Sequence, residues 1–106
     1  MARANYTYEI ESYAGRNVIA IEDLDIGGMS VTNDIENVVD EICAAEKIFP
    51  RGYMIVYKDS TGTWDGYDYN SQNFISLNED GWQSAVSKYI QRREHTMLKT
   101  VHESEQ

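Results

Sequence analysis

MIVYKDSTGTWDGYDYN, residues 54–70, decides how this chain folds. Met54 to Lys58 has the apolar, β-branched character of a strand, and DSTG (59–62) has the chemistry of a tight turn. TWDGYDYN (63–70) is the return strand. One face of such a hairpin is expected to be wet, yet it carries Tyr57, Trp64, Tyr67 and Tyr69 among Asp59, Asp65 and Asp68. A four-residue loop sets Tyr57 across from Trp64 and Val56 across from Asp65. Ile55, Tyr57 and Trp64 then share one face. Met54, Val56, Tyr67 and Tyr69 share the other. A bulge at Gly62 slips this register by one residue. In either register both faces hold large apolar groups.

Upstream, YTYEIESY (6–13) alternates Tyr6, Tyr8 and Ile10 with Thr7, Glu9 and Glu11, which is the period of a strand. AGRN (14–17) is a turn in which Gly15 can take positive φ. NVIAIEDL (17–24) is apolar on both faces and fits an inner strand. DIGGMSVTN (25–33) is a loop. Ile35, Val38, Val39, Ile42 and Cys43 then fall at i, i+3, i+4, i+7 and i+8, the stripe of an amphipathic helix near 33–47. Asn33 is its expected cap, and Pro50 and Gly52 forbid its continuation.

The second half has the same order. Phe74 to Leu77 extends the return strand or forms a short extra one. Asn78 is read as a cap, and Trp82, Ala85, Val86, Tyr89 and Ile90 form a second stripe, giving a helix near 78–93. The expected fold is therefore an α+β domain with two layers in ββαββα order. Its antiparallel sheet of four or five strands carries both helices on one face. Residues 1–93 form the single domain, and 94–106 is a helical extension or a flexible tail.

Composition narrows the function. The chain has 106 residues, one cysteine, and a net charge of −9 from 18 acids against 9 Lys and Arg. At this size folding buries roughly two-thirds of the unfolded surface, enough for one core. Cys43 alone forms no internal disulfide. The N-terminal residues lack the apolar run of a secretory signal, and no stretch approaches the roughly 20 apolar residues of a membrane span. A cytoplasmic protein is expected. Residues 1–86 hold 15 of the acids and 5 of the bases, whereas Lys88, Arg92, Arg93 and Lys99 cluster in 87–101. Such an acidic body repels nucleic acid and anionic membranes, and its charge partners are basic proteins or cations.

No motif here carries chemistry. DSTGTWDGYD lacks the spacing of a calcium loop, because Thr61 and Thr63 follow Asp59 where stronger oxygen ligands belong. The two histidines, His95 and His102, lie near the chain end, far in sequence from Cys43. Paired carboxylates are common in any acidic chain and discriminate nothing. No enzyme activity, metal or cofactor is expected.

The candidate partner-binding residues are acids and rings: Glu22, Asp23, Asp25, Asp34, Glu36, Asp40 and Glu41, with Trp64, Tyr67 and Tyr69. Between Glu22 and Glu46 there are eight acids and neither Lys nor Arg. Glu36 and Asp40 are neighbours on one helix face, about 6 Å apart, a spacing close to that of successive phosphates. The plainer reading of these acids is a solvated face that keeps a small protein soluble. The plainer reading of the rings is cross-strand stabilisation. The functional reading is a non-enzymatic, stoichiometric inhibitor or regulator of a basic protein that handles nucleic acid. By analogy of size and charge alone it suits a DNA mimic of the phage anti-restriction or anti-CRISPR kind. The alternatives are a small accessory domain that dimerises through an aromatic sheet face, and a small-molecule binder that stacks its ligand on the Tyr/Trp cluster.

Overall fold

The computed structural model describes residues 5–25, 31–58 and 62–104, with side chains described for 6–22, 35–58 and 62–93. Five strands and two helices follow in the order β1 (Asn5–Tyr13), β2 (Arg16–Asp25), α1 (Val31–Glu46), β3 (Met54–Lys58), β4 (Trp64–Asp68), β5 (Asn73–Glu79) and α2 (Trp82–Ser104). A single turn of 3₁₀ helix, Pro50–Gly52, precedes β3. The sheet runs β1-β2-β3-β4-β5. It is mixed: β2 and β3 pair in parallel, and the other three pairs are antiparallel. The α+β class holds, but the purely antiparallel ββαββα order does not. The strand–helix–strand passage from β2 through α1 to β3 is long enough to return the chain in the same direction, which a hairpin cannot do. The third strand of the second half, β5, breaks the expected order a second time.

The helices lie on opposite faces of the sheet, which corrects the two-layer expectation. Ile19, Ile21, Ile55, Tyr57 and Tyr67 join Ile35, Val38, Val39, Ile42 and Cys43 of α1 in one core. Val18, Ala20, Met54, Val56, Trp64 and Leu77 join Ala85, Val86 and Tyr89 of α2 in another. Successive residues of β2 and β3 alternate between these cores, so each of those strands is buried on both sides. This is why the 54–70 hairpin carries apolar groups on both faces: helices cover both. Both predicted helical stripes are buried as read, with Trp82 and Ile90 at the margin of the second core.

The hairpin register is one residue off the expected one. Ile55 pairs with Tyr67, Val56 with Gly66, Tyr57 with Asp65 and Lys58 with Trp64. The connection therefore spans 59–63, and the slip exchanges the faces of the return strand. Trp64 moves to the α2 core, and Tyr67 joins Ile55 and Tyr57 in the α1 core. Gly62 sits at φ 88°, while residues 59–61 lie outside the described residues.

The helix ends also differ from expectation. α1 begins at Val31, so Asn33 lies inside it and not at its cap. It ends with Lys47 at φ 58° and the Ile48 N–H donating to the Cys43 carbonyl at 3.0 Å, a Schellman turn that closes the helix before Pro50. Asn78 is not a cap. It sits in β5 at φ 53°, and its N–H donates to Asp65 Oδ1 at 3.0 Å. α2 starts a turn later, where the Ala85 N–H donates to the Gly81 carbonyl at 3.0 Å. With both expected caps gone and a third strand before α2, the second half does not repeat the order of the first.

Candidate functional site

Tyrosines of the sheet fasten the acids of α1. Tyr8 of β1 donates to Glu46 Oε1 at 2.8 Å. Tyr69, just past β4, donates to Asp40 Oδ1 at 2.6 Å. Gln72, in the β4–β5 turn, donates through Nε2 to Glu36 Oε1 at 3.1 Å. The bond to Asp40, followed by burial, pushes the Tyr69 hydroxyl up to about 12. The bond to Glu46 likewise raises Tyr8. A carboxylate that accepts from a phenol favours the neutral phenol, so each pair locks α1 onto the sheet while keeping the carboxylate oxygens at the surface. Burial first, then Glu36, Asp40 and Asp68, raises the Tyr67 hydroxyl, which lies enclosed near these acids without a hydrogen-bond partner. Cys43 is a buried free thiol, raised by burial and then by Asp40.

Asp65 and Asp68 of the hairpin are structural. Asp65 accepts from the N–H groups of Leu77 and Asn78 at 2.8 and 3.0 Å, across the irregular register between β4 and β5. Asp68 accepts from the N–H groups of Asn70 and Ser71 at 3.0 and 3.4 Å and closes the β4–β5 turn. Both do the work of short polar side chains in turns and bulges.

The predicted binding residues are only partly brought together. Glu36, Asp40 and Tyr69 meet beside Tyr67 at one flank of α1, and Glu41 is exposed on the same helix. Glu22 lies on the opposite sheet face, 4.0 Å from Lys58. Its parity along β2 matches Val18 and Ala20, which face α2. The acidic run of the sequence is thus divided by the sheet. Side chains of Asp23, Asp25 and Asp34 lie outside those described. Trp64 is 5% exposed and Tyr67 1%, so both rings are core residues and neither forms an open recognition face. Helices pack on both faces of the sheet, and among the described sheet rings Phe74 of β5 is the one that stays exposed, at 36%, against Tyr57 and Tyr67.

Periodicity missed the most open large ring among the described residues. Phe49 is 85% exposed, three residues past the end of α1 and directly before Pro50. Its signal in the sequence was its place between a closed helix and a proline, where no strand or helix can fold it inward. Glu9 and Glu11 were also missed as a patch. Both are exposed, and both fall on the face of β1 that carries Tyr13 towards the α2 core, alongside Glu22. At the far end of the sheet, an open groove of about 590 Å³ runs past Phe74, Ile75 and Tyr89 with Arg92 and Arg93 on its wall. Among the described residues no group of three or more His, Cys, Asp and Glu could hold a metal ion. None of the described helices is long and apolar enough to cross a membrane.

No protein-family model, no curated protein and no solved structure matches this chain.

Proposed function

We propose that this protein is an acidic, non-enzymatic binding module directed at a basic protein that handles nucleic acid, whose binding groove it occupies as a charge mimic. One observation carries the reading. α1 holds five acids and no base along 16 residues, its outward side chains Asp40, Glu41 and Glu46 are exposed, and it ends beside the exposed Phe49. Acids in this arrangement steer a basic partner, and a single open ring beside them supplies the desolvated contact that holds it. Phe49 takes the part that Trp64 and Tyr67 cannot take from inside the two cores. An inhibitor of the anti-restriction or anti-CRISPR kind is one form of such a module, supported here by size and charge alone.

The test is a binding titration in which duplex DNA and salt compete. A captured basic partner is expected to be displaced by duplex DNA and weakened by raising salt from 0.05 to about 0.3 M, through screening of the charges. Asn37→Lys with Glu41→Lys neutralises the exposed side of α1 without touching the tyrosine-bound acids, and should abolish association while the melting curve stays in place. Phe49→Ala should cost at least about 2 kcal/mol of binding and less than about 0.5 kcal/mol of stability. Unchanged affinity in both variants returns α1 to a merely solvated face.

A further inference from the structure

The two edges of the sheet are treated differently. At the β5 edge, Lys88 Nζ donates to the Leu77 carbonyl at 2.7 Å, and Arg92 donates to the Ser76 carbonyl. Cationic side chains of α2 thus occupy carbonyls of that strand, a common way to close an edge. At the other end, among the described residues, the nine-residue β1 pairs with β2 alone, without a break from Thr7 to Tyr13. Its hairpin turn is Ala14–Gly15, with φ 53° and 74°, the two-residue type I′ connection that Tyr13 and Arg16 flank. In such a hairpin the flanking pair exchanges both hydrogen bonds, and bonded and open pairs then alternate. Counting back from Tyr13, residues Ser12, Ile10 and Tyr8 direct N–H and C=O away from β2.

Charge surrounds this open edge on both sides. Glu9 and Glu11 project from one face of β1, with Glu22 next to them on β2. On the other face Tyr8 reaches Glu46 at the end of α1. A second copy of the chain fits poorly. Two-fold pairing centred on Glu9 sets Glu9 against its own copy, and pairing centred on Ile10 sets Glu9 against Glu11, within a dimer of net charge −18 from two chains of −9. Like charges directly across a strand pair destabilise it.

We infer that β1 is a docking edge for a basic extended segment of a partner protein, which adds as a sixth strand with Lys or Arg beside Glu9 and Glu11. The inference rests on the acidic-module reading and specifies the partner's chemistry: an alternating basic segment, recognised through its main chain by Tyr8, Ile10 and Ser12 and through its charge by the flanking glutamates. Strand addition gives affinity from the backbone ladder, and the alternating side chains give selectivity.

The test uses the whole protein and a capped nine-residue peptide that alternates Lys and Val. Amide spectra should show saturable one-to-one shifts along β1. At saturation, hydrogen exchange at Tyr8, Ile10 and Ser12 should slow by at least about ten-fold, as expected when exposed amides enter a ladder. Glu9→Lys with Glu11→Lys should weaken the peptide by at least about ten-fold while melting is unchanged. A peptide N-methylated on its ladder-facing residues keeps its charge and should not bind. Equal binding of the N-methylated peptide shows charge attachment without strand addition and overturns the inference. So do amides at Tyr8, Ile10 and Ser12 that are already protected in the free monomer, or a β1-paired dimer seen by sedimentation. If the α1 variant loses its basic partner while β1 stays silent, strand addition fails and the acidic-helix reading stands. If peptide binds at β1 while the α1 variant changes nothing, the reverse holds.

Discussion

Gly66→Ala probes the layer that α2 forms on the sheet. A Cβ at position 66 would lie 2.7 Å from both Cδ2 and Cε2 of Tyr89 and 3.3 Å from Cβ of Ile75. Ordinary carbon contacts are about 3.5–4.0 Å, so the ring must retreat by about 1 Å. Tyr89 is buried between α2 and the sheet, so that retreat displaces packed atoms and not solvent. Overpacking of this size costs about 1–3 kcal/mol, and replacing a strand glycine returns about 0.4–1 kcal/mol through the unfolded chain. The net loss should be about 1–2 kcal/mol, seen as a fall of about 4–10 °C in Tm and a lower urea midpoint at unchanged slope. In a Tyr89→Ala background the severe clash is gone and only the 3.3 Å approach to Ile75 remains, so the same substitution should cost little or nothing, a coupling of about 1–2 kcal/mol. Gly66→Ala with wild-type stability, or with the same penalty when Tyr89 is gone, would refute the packing of α2 against β4.

Three further outcomes follow from single positions. Ala14 holds φ 53° beside Gly15, where a side chain costs about 1 kcal/mol, so Ala14→Asn should raise stability by about 0.5–1 kcal/mol in urea melts; a loss would mean the turn is not type I′. Asp65→Ala leaves the Leu77 and Asn78 N–H groups without their acceptor and should cost about 2–3 kcal/mol, with exchange of those two amides accelerated; unaltered exchange there would remove Asp65 from the β4–β5 junction. Tyr69 and Tyr89 are pushed up to about 12 in the folded state, from the ordinary value near 10, by the bond to Asp40 and by burial respectively. A raised folded value favours the protonated phenol, so this stability is complete below about pH 10 and is lost as pH rises through about 12. Urea midpoints should fall between pH 10 and 12 as tyrosinate absorbance appears, and ionisation near pH 10 with no loss of stability would contradict it.

Helices were legible because their stripes are periodic over many residues: Ile35 to Cys43 and Trp82 to Ile90 read correctly from spacing alone. Their placement on opposite faces was not read, although the signal was present. Val18, Ile19, Ala20 and Ile21 are all buried, and an unbroken apolar strand of that kind marks a sheet covered on both sides. The same signal, with a helix between two inner strands, foretold the parallel β2–β3 pair. Register was lost at a single residue of loop length, because side chains alternate with period two and one extra residue exchanges their faces. Asn78, Glu79 and Asp80 have the composition of a helix start, but pairing of Glu79 with Trp64 and the Asp65 bond to the Asn78 amide hold that stretch in β5. For the candidate site, the acids of α1 were legible as charge. Their division from Glu22 by the sheet and the exposure of Phe49 were not, since both depend on topology.

Helices cover both sheet faces and enclose Tyr67 and Trp64 of the hairpin in separate cores. Nuclear Overhauser contacts of the two rings test it most directly. The Trp64 indole should contact methyl groups of Ala85 and Val86 in α2, and the Tyr67 ring those of Val39 and Ile42 in α1, with no shared helix partner. Contacts from both rings to one helix, or a Trp64 or Tyr67 ring with no helix contact at all, would contradict it.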